Sequence, residues 1–274
     1  MSDPRTIAEG LPSTGLDTTC SFDAVLPAGG RIKGAFAESA GTDIKALIRL
    51  NGETILWRTI AALRETGRCG RVVVVGPQET LKEALEAGAD GSLIEGPTGP
   101  DNICAGLEWL VSQDPPRPSR TLVVTTDMPF LTAAAIERFV DACPADAELS
   151  LPIITRQAFE TLFPESGNVF VRLLDGEFTL GGAFLLTPQA VLNNRRHIER
   201  IFKARKSQVG MVRLLGFSCA ARFLCRRLTV AHVERRASHL LGLRGAAVKN
   251  APAELAFDID LPEEYDYVLR HQTR

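Results

Sequence analysis

Short apolar runs alternate with amphipathic stretches along the first 155 residues. Asp23 to Leu26, Arg71 to Val75, Thr121 to Thr126 and Leu149 to Thr155 are rich in Val, Leu, Ile and Thr, the composition of strands. Between them, Thr54 to Thr66, Glu79 to Ala87 and Asp101 to Ser112 carry apolar residues three or four positions apart, as with Leu56, Ile60 and Leu63. Strand and helix in strict alternation predict βαβ units and a mostly parallel, Rossmann-like sheet covered by helices. In such a sheet ligands lie at the carboxyl ends of the strands. Those ends are where the glycines and polar residues fall: Gly29-Gly30, Gly76-Pro77 and Thr125-Thr126-Asp127-Met128-Pro129.

The pattern changes after Phe170. Phe170 to Leu174, Asp175-Gly176-Glu177 and Phe178 to Leu186 read as a hairpin with Gly181-Gly182 inside its second arm. Glycines within a strand mark a close approach, here one expected from a ligand. From Asn193 to Val248 the chain reads as a helical insertion, distinct in composition. Between Arg195 and Arg236 it holds twelve arginines and lysines against Glu199 and Glu234. Leu214, Leu215, Phe217, Phe223, Leu224 and Leu228 interleave with those charges. Three roles fit: a solvated helical face, an acceptor-binding surface for an anion, or contact with a membrane or lipid-like acceptor.

The whole-chain figures narrow the class. The 274 residues are 45% apolar, enough for one sizeable core, and 31 basic against 33 acidic side chains exclude a global electrostatic case for nucleic acid. Six cysteines with no C-x-x-C spacing argue against a zinc knuckle or disulfide framework and fit a reducing, cytoplasmic compartment. Residues 1–21 read as a flexible leader and 22–274 as a single domain. No stretch is long and apolar enough for a membrane span, and the four histidines lack ligand spacing.

Candidate chemistry starts at Leu26-Pro27-Ala28-Gly29-Gly30-Arg31-Ile32-Lys33-Gly34, a glycine turn after a strand, followed by Lys45. Two residues without a Cβ let the backbone approach a phosphate, and Arg31, Lys33 and Lys45 supply cations. Neither the Walker A nor the Rossmann glycine pattern is met, since Ala35-Phe36 follows Gly34. Asp127, leaving a buried strand, fits either a Mg²⁺ ligand or a turn residue before a helix from Thr132. Asp258 and Asp260 share one side of an extended segment and could both approach one metal, although Asp260 equally suits the cap of a helix from Pro262.

Taken together, Leu26-Pro-Ala-Gly-Gly with Lys45, Thr126-Asp127-Met128-Pro129-Phe130-Leu131 and Asp258-Ile259-Asp260-Leu261-Pro262-Glu263-Glu264 resemble the MobA-like nucleotidyltransferases. That superfamily includes molybdenum-cofactor guanylyl- and cytidylyltransferases and the cytidylyltransferases of isoprenoid synthesis. Glu95 to Leu107 is similar to its loop and helix start that contact base and ribose, with Asn102 where a serine is common. The resemblance implies a GT-A-like α/β fold and transfer of an NMP group from an NTP, CTP or GTP favoured, to a phosphorylated small-molecule acceptor with release of pyrophosphate. It implies nucleotide contacts from Pro27, Ala28, Gly29, Gly30, Gly76, Thr98 and Asn102, and phosphate-holding cations in Arg31, Lys33 and Lys45. It further implies Mg²⁺ on Asp127 and Asp260, and an acceptor bordered by Arg172, Gly181 and Gly182. The chain departs from the family loop, commonly A-G-G-x-G-x-R, in having Arg31-Ile32-Lys33-Gly34 and a long excursion before Lys45. Two alternatives are a sugar-nucleotide glycosyltransferase, suggested by the D-x-D of Asp258 to Asp260, and a nucleotide-binding module without turnover.

Overall fold

The computed structural model describes residues 6–9, 20–114, 118–204 and 216–271. The strands are β1 (Thr6–Glu9), β2 (Phe22–Pro27), β3 (Arg49–Leu50), β4 (Glu53–Thr54), β5 (Cys69–Gly76), β6 (Gly91–Ile94), β7 (Thr121–Val124), β8 (Leu149–Thr155), β9 (Val171–Leu173), β10 (Gly176–Leu180), β11 (Ala183–Leu186) and β12 (Gly245–Lys249). The helices are α1 (Ala35–Ala40), α2 (Ile55–Glu65), α3 (Gln78–Glu86), α4 (Gly99–Ser112), α5 (Ala133–Ala142), α6 (Arg156–Leu162), α7 (Pro188–Asn193), α8 (Arg195–Ala204), α9 (Phe217–Leu224), α10 (Val230–Leu241) and α11 (Pro262–His271).

The central strands β6, β5, β2 and β7 run parallel, and β12 is parallel to β8, while β1, β9, β10 and β11 pair antiparallel to their neighbours. Strand periodicity explains the layering. Ala24, Leu26, Val72, Val74, Leu122 and Val124 face one side, where α2, α5, α6 and α11 build the larger core around Ile60, Phe139, Phe159 and Phe257. Val25, Val73, Val75 and Val123 face the other, against Leu107 and Leu110 of α4. Strands apolar on both faces need cover on both, the expectation for a parallel sheet.

Threonines begin the helices. Thr54, Thr98, Thr132 and Thr155 each accept a backbone N–H through the side chain at the start of α2, α4, α5 and α6. Gly106 lets α4 lie directly on the sheet, because a Cβ there would stand 2.5 Å from Val25 Cγ1.

Three expectations change in detail. Of the expected leader, Thr6–Glu9 is an edge strand on β6, and the remainder up to residue 19 lies outside the described residues. The second hairpin arm is not continuous. Leu180 faces Ile153 and Leu185 faces Ser150 on the same edge of β8, so two extra residues, Gly181-Gly182, bulge between β10 and β11. The approach there comes from the protein itself: a Cβ on Gly181 would stand 2.7 Å from Leu255 O, and one on Gly182 would collide with Thr125 Oγ1. The helical insertion also ends sooner than Val248. Gly245–Lys249 is a strand, its Ala246 and Val248 registered against Ser150 and Pro152, because β8 has a free edge that only pairing can satisfy. Residues 205–215 of the basic segment lie outside the described residues.

Candidate active site

The glycine turn continues β2 past its last residue. Ala28 N donates to Val75 O at 2.8 Å, which holds the turn beside β5, and Thr126 Oγ1 donates to Pro27 O at 3.2 Å from the other flank. A Cβ on Gly29 would collide with Glu95 Oε2 and lie 3.4 Å from Asn102 Nδ2, so only glycine admits the neighbouring loop this closely. The long excursion after Gly30 returns on itself: Arg31 bridges Ile44, Ile32 N donates to Asp43 O, and Lys45 N donates to Gly30 O at 3.0 Å. Phe36, within the excursion, packs on Tyr265 at 5.6 Å between ring centroids. That closure is how a lysine fifteen positions on comes to stand beside the glycine turn.

Lys45 is buried. Its Nζ donates to Asp127 Oδ2 at 3.2 Å and to Asp260 Oδ1, linking residues from three separate regions of the chain. Burial alone would lower its pKa, but the two carboxylates outweigh that and raise it, so the ammonium persists. Asp127 emerges just past β7, and its backbone carbonyl accepts from Ile259 N at 3.0 Å, which draws the C-terminal segment alongside. Asp258 and Asp260, two apart in an extended stretch, then both reach Asp127, with carboxylate oxygens of all three within 4.8 Å of one another.

These carboxylates fit a divalent cation. Among the described residues Asp127 Oδ1 is buried without a hydrogen-bond partner, and burial followed by repulsion from Asp127, Asp260 and Glu264 pushes Asp258 up to about 7. One ammonium faces three carboxylates, a deficit of positive charge of the kind a hard cation on oxygen ligands fills. The helix-capping reading of Asp260 is replaced by another residue: Glu264 Oε2 accepts from the backbone N–H of Asp260 and Leu261 at 2.6 and 2.7 Å and holds the start of α11.

Across the cleft, Gly96 N donates to Asn102 Oδ1 at 2.7 Å and Glu95 N to Gly76 O at 2.9 Å, fixing the loop between β6 and α4. The Thr98 hydroxyl and the Arg195 guanidinium, 2.8 Å from Asp101 Oδ1, hold the Asp101 carboxyl below its usual range. Arg195 thereby ties the basic helix α8 to the start of α4.

The cleft has a volume of about 840 Å³ and brings together Pro27, Gly29, Gly30, Lys45, Thr98, Asn102, Asp127 and Asp260 from the expected set. Other expected residues lie elsewhere. Ala28 is fully buried under the turn, and Gly76 lies against it, since a Cβ there would meet Ala28 Cβ at 3.0 Å. Arg31 is ion-paired with Glu95 at 2.8 Å, Lys33 is exposed outside the cleft lining, and Arg172 sits exposed on the edge strand β9. Gly181 and Gly182 lie behind the wall, where Gly182 O accepts from Thr125 N at 3.0 Å. Sequence reasoning placed Glu95 in the loop at the start of α4 but missed its contact with Gly29, and it missed the apolar wall formed by Leu149, Leu151 and Phe184.

Comparison with known proteins identifies the fold and the family. The chain superposes on a hypothetical transferase structure from Thermus thermophilus with a TM-score of 0.77 at 29% identity, covering 89% of this chain and 98% of that one. At fold level it also matches a nucleotidyl transferase from Methanothermobacter thermautotrophicus (TM-score 0.54, 17% identity, 93% and 98% covered). A further fold match is a 2-C-methyl-D-erythritol 4-phosphate cytidylyltransferase, also from Thermus thermophilus (TM-score 0.52, 15% identity, 93% and 100% covered). No curated protein sequence matches. Residues 24–216 match the family model described as the MobA-like NTP transferase domain, and the chain belongs to that family of nucleotidyltransferases.

Proposed function

We propose that the protein transfers a nucleotidyl group from an NTP, CTP or GTP favoured by the family resemblance, to a phosphorylated small-molecule acceptor. An acceptor phosphate oxygen attacks the α-phosphorus in line, the bond to the β-phosphate oxygen breaks, and pyrophosphate leaves. The observation that carries this reading is the meeting of Lys45 with Asp127, Asp258 and Asp260 in the cleft that also contains Gly29 and Gly30.

Each residue has a task that its position supports. Gly29 and Gly30 leave the backbone open to the triphosphate, and Lys45 offsets its negative charge. Thr98 and Asn102 border the base and ribose at the start of α4, with the Asn102 carbonyl already committed to Gly96 N. Asp127, Asp258 and Asp260 would hold Mg²⁺, which supplies charge neutralisation on the transferring phosphoryl group. Most of the rate enhancement is positioning and charge stabilisation, with no covalent intermediate on the protein.

The decisive experiment has two arms. Thermal shifts with CTP, GTP, UTP and ATP plus Mg²⁺ identify the donor, and pyrophosphate release is then followed across a panel of phosphorylated acceptors. Donor binding with acceptor-dependent pyrophosphate release is expected. Tight NTP binding with no pyrophosphate from any acceptor would favour a non-catalytic module, and nucleoside diphosphate release from sugar nucleotides would favour a glycosyltransferase.

A further inference from the structure

The charged residues account for only one end of the cleft. Beyond Thr125 its wall is hydrocarbon: Leu149 and Leu151 on β8, Phe184 on β11, Ile198 and Ile201 on α8, and Leu241 on α10. Their alternate neighbours Ser150, Ile154 and Leu185 point into the opposite core, so this is a second apolar face of the same strands. All six side chains are only half-buried. The sheet and the helices opposite it present apolar surface to a common space without closing it, which is how a site for an apolar group is built.

The two ends are continuous within one cleft. Its volume of about 840 Å³ is near the top of the roughly 300–1,000 Å³ range of small-molecule sites, consistent with room for two substrates. The nucleotide's polar groups match the glycine turn and the loop from Glu95 to Asn102. A second molecule that brings an oxygen to the carboxylate end has its remaining bulk against leucine, isoleucine and phenylalanine.

We propose that the acceptor is an amphiphile: an anionic phosphate head at the Lys45 end, joined to an alkyl body that fills the space between β8, β11 and α8. This rests on the nucleotidyl-transfer reading for the identity of the second molecule, and on the cleft lining for its chemistry. The apolar wall crosses the three adjacent strands β7, β11 and β8, a width of roughly 10 Å at normal strand spacing, the reach of an extended chain of about eight carbons. It also gives the helical insertion a role, since α8 and α10 supply the side of this space that the sheet cannot.

Calorimetric titration of the full chain in Mg²⁺ with methyl, butyl, hexyl and octyl phosphate, each below its micelle concentration, tests the proposal without turnover. Affinity is expected to rise about fourfold per added methylene until the space is filled. Leu151→Gln and Ile198→Gln, one on each side of the space and both half-buried, are expected to weaken octyl phosphate binding about tenfold. Methyl phosphate and NTP binding should stay unchanged in both. Equal affinity for methyl and octyl phosphate in a protein that still binds NTP overturns the apolar subsite and leaves nucleotidyl transfer standing. A clear chain-length gradient in a protein that binds no NTP does the reverse.

Discussion

Acids gather at both ends of the central strands, and the two groups are built differently. At the amino end, Asp23 Oδ1 accepts from Arg71 N at 2.7 Å, while Asp90 Oδ2 accepts from Val72 N and from Arg64 Nη2 at 2.7 and 2.6 Å. Two carboxylates thus face two arginines, and each takes a backbone N–H. At the carboxyl end one lysine bonds Asp127 and Asp260, Asp258 stands beside them, and Asp127 Oδ1 has no hydrogen-bond partner among the described residues. Raised pKa values do not separate the groups, because burial pushes Asp23 up to about 6 and Asp258 up to about 7. Satisfaction of the oxygens does separate them. The amino-end carboxylates each accept a backbone N–H of β5 and hold Asp23 of β2 and Asp90, just before β6, to that strand, whereas the carboxyl-end trio needs positive charge from outside.

The sharpest way to break that contrast is to neutralise one acid at each end. Asp127→Asn keeps shape and removes a charge from the trio, so turnover should fall about a hundredfold, on the order of 3 kcal/mol of transition-state stabilisation. The thermal midpoint should hardly move. Steady-state pyrophosphate release and a melting curve read the two effects. Wild-type turnover would remove Asp127 from the chemistry.

At the other end the effect should appear in stability and not in rate. Asp23 has a folded-state pKa of about 6 against an ordinary 3.8, so its contribution to stability is fully present below 3.8 and lost as pH rises through 6. Asp23→Asn removes that titration while keeping an oxygen for Arg71 N. The variant's stability relative to wild type should therefore climb by about 2 kcal/mol between about pH 4 and pH 7 and then level off. Urea denaturation at each pH measures it, and a flat difference would place the charge in solvent.

How much of this was written in the chain depends on the distance over which a residue acts. The alternation of Ala24, Val25 and Leu26 and the pairing of Asp258 with Asp260 are local patterns, and they read correctly as a two-faced strand and a shared side. Glu95 over Gly29 is not local, because 66 positions separate them and nothing near either residue marks the contact. Gly245 to Lys249 hid for a related reason. Its glycine and alanines have weak strand preference, and only the open edge of β8, about a hundred residues earlier, makes it a strand. The apolar wall was legible as strand β8 but not as a wall, since Leu149 and Leu151 look like any core residues until α8 leaves them partly uncovered.

The Glu95 contact supplies the smallest and most specific test of the carboxyl end. Glu95 Oε1 is held by Arg31 Nη2 at 2.8 Å, and its other oxygen occupies the space where a Cβ on Gly29 would lie. Gly29→Ala must push Glu95 aside, and the displaced carboxylate then moves within the triphosphate's approach. NTP affinity should drop about tenfold, near 1.4 kcal/mol. The flexible end of a side chain is what gives way, so the fold should persist, and Glu95→Ala added to the same chain should recover most of the loss. Recovery would assign the glycine requirement to Glu95. An equal loss in the double variant would assign it to the backbone's own approach to phosphate, since the added methyl then obstructs the ligand directly.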